Sequence, residues 1–161
     1  MKSFRALWGT PLRLISWGTT VCCVVIGLIM AWNMPGAMRW LALAPLAMVL
    51  GGALFTIRGY SIQGDVILVH RLFWDTPLPV AGLLSAQADP AAMRGSLRLC
   101  GNGGMFSFTG LFRNKTLGNY RAFVTDSRRA VVLRYPRRTV VLSPAEPEEF
   151  VRELPVADHG S

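Results

Sequence analysis

Four aspartates (Asp65, Asp75, Asp89, Asp126), two histidines (His70, His159) and Cys100 are the groups after the apolar N-terminal third best suited to acid, base or nucleophile chemistry. A hydrolase or metalloenzyme sets such groups at fixed offsets, because a nucleophile needs its base and a metal needs its ligands on one turn or helix face. Neither H-E-x-x-H nor G-x-S-x-G occurs, and two histidines are too few for a histidine-rich metal site. Cys22 and Cys23 adjoin in an apolar run and Cys100 stands apart, so there is no disulfide framework and a reducing compartment is expected. Cys100 is expected to be a buried, inert thiol, and His70 a structural or surface residue on a strand. No cofactor and no metal are expected.

The stretch CGNGGMFSFTGLFRNKTLGNY, Cys100 to Tyr120, raises phosphate chemistry instead. A P-loop needs G-x-x-x-x-G-K-[ST]; from Gly110 the run reaches Lys115-Thr116 but has Asn114 where the second glycine belongs. The dinucleotide fingerprint G-x-G-x-x-G fails at Phe106 when counted from Gly101, and no helical pattern follows. Turn and bulge chemistry remains, because glycine supplies the backbone freedom that tight β connections need. Two groups of cations complete the candidates. Arg128, Arg129, Arg134, Arg137 and Arg138 crowd the last predicted hairpin, and Arg94, Arg98, Arg113, Lys115 and Arg121 form a second region. They would suit anionic lipid headgroups; alternatively they form a solvated face that discourages edge pairing.

The elements that must hold these residues fall into two parts. Only 16% of residues are charged, against about 25% in an average soluble domain. The deficit is local, since no Asp, Glu, Lys, Arg or His lies between Arg13 and Arg39 or between Arg39 and Arg58. Both gaps approach the ~20 apolar residues that cross a bilayer as a helix. A transmembrane hairpin over 14–57 is predicted, with helices at about 14–32 and 40–57. A cleaved signal is disfavoured, since the run exceeds a signal's 7–15-residue apolar core and a second run follows. Lys2, Arg5 and Arg13 before the hairpin, and Arg58 and Arg71 after it, place both termini in the cytoplasm and the Pro35-Gly36 turn outside. Trp32 and Trp40 bracket that turn as interfacial aromatics would.

The hairpin carries no intramembrane charge, so it reads as an anchor rather than a conducting path. Ser16, Thr20, Cys23 and Gly27 share one helical face, and Ala44, Ala47 and Gly51 another; these small-residue faces are expected to pack together. Pro45 is expected to bend the second helix. Of the net charge of +8, about half lies after residue 57, beside all nine acids. That is a moderate bias towards an anionic leaflet, and no nucleic-acid partner is expected.

After Gly59 the period shortens. YSIQGDVILVHRLF predicts two strands around Gly64-Asp65, and LFWDTPLPV an edge or irregular segment because of Pro77 and Pro79. LLSAQAD, GSLRLCG, MFSFTG, YRAFVTD, AVVLRY and TVVLS give further short strands, with Pro136 turning the last two. Pro147 followed by Glu148, Glu149, Phe150 and Leu154 predicts one brief C-terminal helix. About seven strands and one closing helix make an α+β plan, a sandwich or barrel capped at one end.

The glycine order Gly101, Gly103, Gly104, Gly110 with Phe112, and Gly118 with Tyr120, then Val124-Thr125, Ser143-Pro144, Glu149-Phe150 and Leu154, resembles the bacterial PH-like domains of small membrane-anchored proteins. The resemblance covers about Tyr60 to Leu154 and implies two roughly orthogonal sheets capped by the C-terminal helix, with no catalytic residues or cofactor to carry over. Eukaryotic namesakes bind phosphoinositides through a basic loop between their first strands; the corresponding turn here, Gln63-Gly64-Asp65, is not basic. The chain then divides into a cytoplasmic tail over 1–13, the hairpin over 14–57, a PH-like domain over 58–154 and a tail over 155–161.

The expected role is a multi-pass inner-membrane protein, non-catalytic, whose cytoplasmic module binds a protein or peptide partner or the anionic membrane surface. The alternatives are a small membrane enzyme or a regulatory subunit of a larger membrane complex. Oligomeric state is not fixed by these residues.

Overall fold

The structure is a computed structural model that describes residues 2–103 and 105–154. Gly104, His159 and the expected tail over 155–161 lie outside the described residues. In chain order come β1 (Lys2–Arg5), α1 (Thr10–Asn33), a 3-10 segment (Gly36–Leu43), α2 (Ala44–Leu54), β2 (Ile57–Gln63), β3 (Val66–Arg71), β4 (Asp75–Pro79) and β5 (Ser85–Ala88). Then follow β6 (Leu97–Gly103), β7 (Phe108–Asn114), β8 (Gly118–Val124), β9 (Val131–Tyr135), β10 (Arg138–Leu142) and α3 (Pro147–Arg152). The architecture is α+β: among the described residues, two apolar helices lie between the first and second of ten strands, and a short helix ends the sheet-rich domain, consistent with a PH-like fold.

Two sheets form the sandwich, ordered β1-β2-β3-β4 and β5-β9-β10-β8-β7-β6. Their facing sides enclose Tyr60, Ile67, Val69, Phe123, Leu133 and Leu142, and Phe150 of α3 closes the core. The far side of the larger sheet has its own cover, where Ala92 and Met93 lie over Tyr120, Val124 and Val141. Pro77 and Pro79 sit in β4, which is an edge strand as their missing N–H groups require.

Two bulges tune the sheets. One between Ile57 and Gly59 turns Ile57 and Tyr60 both inward while Arg58 swings out. The other lies between Arg98 and Cys100. Where β6 meets β7, Gly101 pairs with Gly110, both at positive φ (112° and 143°). A Cβ on either would collide with the opposite backbone, so these glycines let two strands close on each other. The glycine-rich stretch is thus a hairpin, with β7 starting at Phe108 rather than Met105.

Four boundaries differ from the sequence reading. Residues 1–13 are not a tail, because Lys2–Arg5 pair antiparallel with β2 in the first sheet. Phe4 supplies the reason: its ring meets Phe150 edge-on at 5.1 Å, a core contact 146 positions away that no local pattern reveals. The first helix starts earlier, at Thr10, with Pro11 in its first turn. The second apolar stretch begins as 3-10 helix, becomes α-helix at Ala44 with Pro45 in its first turn, and stops at Leu54, so that Ile57 already belongs to β2. Among the described residues ten strands pair, where about seven are expected, because β1 adds one and the edge segments pair as well.

Thr10–Asn33 and Gly36–Leu54 are both long and apolar enough to cross a membrane. Their outer faces touch no protein; Trp32, for example, is 88% exposed.

Candidate functional site

The strand directions give the sandwich two unlike ends. β1 runs into α1, α2 runs into β2 across Phe55 and Thr56, and both junctions lie at one end. The β3–β4 connection, Leu72–Trp74, reaches this end, because Arg71 pairs with Ile57. The β6–β7 tip does too, because Phe108 pairs with Val124, and Thr125 bonds the segment entering α1. This helix-bearing end is the candidate site.

It is tied down by hydrogen bonds between residues far apart in sequence. Thr125 Oγ1 donates to the Leu7 carbonyl (2.9 Å), and the Gly9 N–H donates to the Thr125 carbonyl (3.1 Å). Ser143 is the hub behind them: its Oγ accepts from the Thr125 N–H (2.8 Å) and lies 3.3 Å from the buried Tyr60 hydroxyl. That hydroxyl donates to the Phe123 carbonyl at 2.6 Å, and burial pushes its pKa up to about 12.

The β6–β7 tip reaches across to both helices. The Phe106 N–H donates to Ser16 Oγ (2.9 Å), and Ser107 Oγ donates to the Phe55 carbonyl (2.9 Å). The Phe106 ring lies edge-on to Trp8 at 6.0 Å, and Met105 lies against Gly52. Phe106 takes φ = 63°, a left-handed conformation that costs a non-glycine residue about 1–3 kcal/mol and persists only where the surroundings hold it. Here the helices hold it.

The β3–β4 tip is different: it is apolar and open to the outside, with Leu72, Phe73 and Trp74 at 39%, 74% and 41% exposure, Trp74 resting edge-on against Phe55 at 5.6 Å. Behind it, Arg71 turns into the sandwich and is buried. Its guanidinium lies over the rings of Phe55, Trp74 and Phe123, and its Nε donates to Thr76 Oγ1 (3.1 Å). Burial first, and Arg121 second, push the Arg71 pKa below its ordinary value. On the outer face of the first sheet, Arg5, Arg58 and His70 border a cleft of about 520 Å³ with Asp75.

His70 sits where sequence patterns gave no signal. Its Nε2 is 2.8 Å from Ser61 Oγ and its Nδ1 is 2.8 Å from Asp75 Oδ1, the order of contacts in a hydrolase triad. Pairing of β3 with β2 and β4 brings the three together, so only the topology could have found them. The setting does not suit acyl transfer. Ser61 is fully buried, and β2 is paired on both sides, which commits its N–H groups to the ladder rather than to a developing oxyanion.

The five arginines chosen from sequence are not brought together. Arg128 and Arg129 lie at the helix-bearing end beside Asp126, whose side chain caps their short turn and packs on Gly9; Arg129 also donates to the Ala145 carbonyl. Arg134 projects from the far part of β9, and Arg137 and Arg138 occupy the opposite turn, with Arg138 over the Tyr135 ring at 4.8 Å. Five strand residues separate the groups, about 17 Å at ~3.3 Å each. Of the second region, Arg121 lies over Phe123 beside Arg71, whereas Arg98 and Arg113 sit far from the helices. Cys100 is exposed, not buried, because β6 is an edge strand bulged at that point.

On the helices, Ser16 and Cys23 are buried, Thr20 and Gly27 half-buried, and a Cβ on Gly27 would meet the Ala42 carbonyl at 3.1 Å. Their partners are not the expected ones: Ala44 and Ala47 are exposed and Gly51 half-buried with open space beside it, whereas Ala42 and Val49 are buried. The 3-10 segment, with three residues per turn, shifts the phase that a continuous α-helix would have set.

The family model for a bacterial PH domain matches residues 58–157. No curated protein and no solved structure matches the chain.

Proposed function

The chain belongs to the bacterial PH domain family, and from that premise we propose that it is a multi-pass inner-membrane protein, non-catalytic, that holds its PH-like sandwich end-on against the anionic cytoplasmic leaflet and binds there. One observation carries this reading. The end of the sandwich that bears the two membrane-length helices is joined to them by only residues 6–9 and 55–56, and it is the end that exposes Leu72, Phe73 and Trp74 and carries Arg5, Arg58 and Arg128. Aromatic and aliphatic side chains flanked by arginine suit the boundary between headgroups and acyl chains. Both termini inside follows from the flanking cations.

The test is depth. In the full chain with its cysteines removed and reconstituted in vesicles, a probe on Phe73→Cys should be quenched by acyl-chain quenchers, and one on Arg137→Cys should not. Equal quenching at both positions sinks the end-on arrangement. Reporters fused after Ser161 and within the Pro35 turn should fall on opposite sides of the membrane.

A second reading, a protein or peptide partner, is favoured by the cleft of about 480 Å³ beside α3, where Pro90, Arg128, Glu146, Glu148 and Arg152 meet. Its sign would be a partner that co-purifies in mild detergent and is lost on Glu148→Arg, as for a regulatory subunit of a larger complex.

A further inference from the structure

We propose that Arg71 is the anion anchor of a lipid site: with Arg121 it holds the phosphate of an anionic lipid headgroup at the mouth of the sandwich, beside the Leu72–Trp74 tip. The inference rests on the end-on seating proposed above and specifies what that seated end binds. Arg71 is buried, with 7% of its surface exposed. A buried guanidinium normally has a carboxylate partner, because the interior does not replace lost hydration. Among the described residues no carboxylate pairs with Arg71, and its Nη1 has no hydrogen-bond partner.

The rings of Phe55, Trp74 and Phe123, 5.2–5.7 Å away, offset part of the charge but leave the Nη1 donor unsatisfied. A second cation acts on it as well: Arg121 lies over the same Phe123 ring at 5.3 Å. Arg121 thus adds like charge to Arg71 rather than offsetting it; a bound anion would relieve both, and phosphate oxygens match the planar donor fork.

The surroundings choose a lipid over free phosphate. Phe55 follows directly on α2, and Phe73 is 74% exposed next to the site, so apolar chain carried by the ligand has a surface to run along. The position differs from the Gln63-Gly64-Asp65 turn, which lies at the opposite end of β2 and β3.

The experiment uses the full chain in neutral detergent and a fluorescent short-chain phosphatidate read by anisotropy. Unlabelled short-chain phosphatidate should compete, the phosphatidylcholine analogue should not, and inorganic phosphate should need on the order of a hundredfold higher concentration. Arg71→Gln should weaken binding at least about tenfold, Arg71→Lys less, and Arg137→Ser, at the opposite end of the sheet, little. Arg121 is exposed, so Arg121→Gln tests the site even if Arg71→Gln does not fold; a loss of several-fold is expected. Wild-type affinity in Arg121→Gln, together with wild-type affinity in any folded Arg71→Gln, overturns the site even where the Phe73 probe still reports membrane contact. Equal competition by inorganic phosphate overturns the lipid as ligand. A Phe73 probe in water, with phosphatidate still bound through Arg71, would sink the seating and spare the anion site.

Discussion

Gly51 and Gly52 are neighbours in α2 with opposite surroundings, and they allow the docking of the β6–β7 tip to be weighed against itself. A Cβ on Gly51 meets nothing within 4 Å, whereas one on Gly52 runs into the Met105 side chain, with Cγ at 3.0 Å and Sδ closer still. Glycine to alanine in a helix interior is worth roughly 0.5–1 kcal/mol in backbone terms, and both variants share that gain. Their difference therefore isolates the tip. Overpacking costs about 1–3 kcal/mol. If Met105 moves, it drags on Phe106, whose hydrogen bond to Ser16 and left-handed backbone depend on the seated tip. Gly52→Ala should thus loosen the tip by about 1–3 kcal/mol relative to Gly51→Ala, or about five- to 150-fold in opening. Hydrogen exchange over residues 105–111 of the full chain in nanodiscs reads this directly. Equal exchange in the two variants would refute the claim that the tip is held by α2.

Tyr60→Phe should lower the stability of the full chain by about 1–3 kcal/mol, because the Phe123 carbonyl and the Ser143 N–H lose their buried partner; the denaturation midpoint in neutral detergent measures it. The clasp of Lys2 with Glu149 (2.8 Å) and Glu153 (2.7 Å) should be pH-sensitive. The Lys2 hydrogen bond holds Glu149 below its ordinary pKa, and the bonds to Glu149 and then Glu153 raise that of Lys2. The clasp is therefore complete between the two unfolded-state values, and is lost as pH falls through the depressed Glu149 value or rises through the raised Lys2 value. Exchange in α3 should quicken in acid for the wild type and already be fast in Lys2→Ala at neutral pH, without a further acid step. Arg128→Ser should reduce the effect of anionic lipid on a probe at position 73 by about fivefold, from ~1 kcal/mol per surface cation, whereas Arg137→Ser should not. An equal effect at Arg137 would contradict the separation along β9.

What was readable in the sequence is what depends on near neighbours. The charge-free gaps marked the two helices, the Gly64-Asp65 and Pro136 turns marked two hairpins, and Pro77 with Pro79 marked an edge. Each is a local consequence of solvation or of fixed backbone angles. The misreadings share another cause. The N-terminal strand looked like a charged tail because its register, Lys2 with Ile62 and Phe4 with Tyr60, is set across the whole hairpin. The helix faces slipped because a 3-10 segment changed the phase before Ala44.

The basic face dissolved for a related reason. Charges close in sequence on a β-hairpin and its approach need not be close in space, since each strand residue adds ~3.3 Å between them. Arg129 and Arg137 lie eight positions apart and at opposite ends of the sheet, whereas Arg71 and Arg121, fifty apart, share the ring of Phe123. A count of cations ranks the first pair above the second. Burial reverses the order, because a solvated arginine costs nothing to leave unpaired and a buried one does. In this chain the cation most in need of a partner is therefore Arg71, in the largely apolar run V-H-R-L-F-W, two residues from Phe73, the most exposed ring of the tip, and on the strand next to the one that leaves the membrane-length helices.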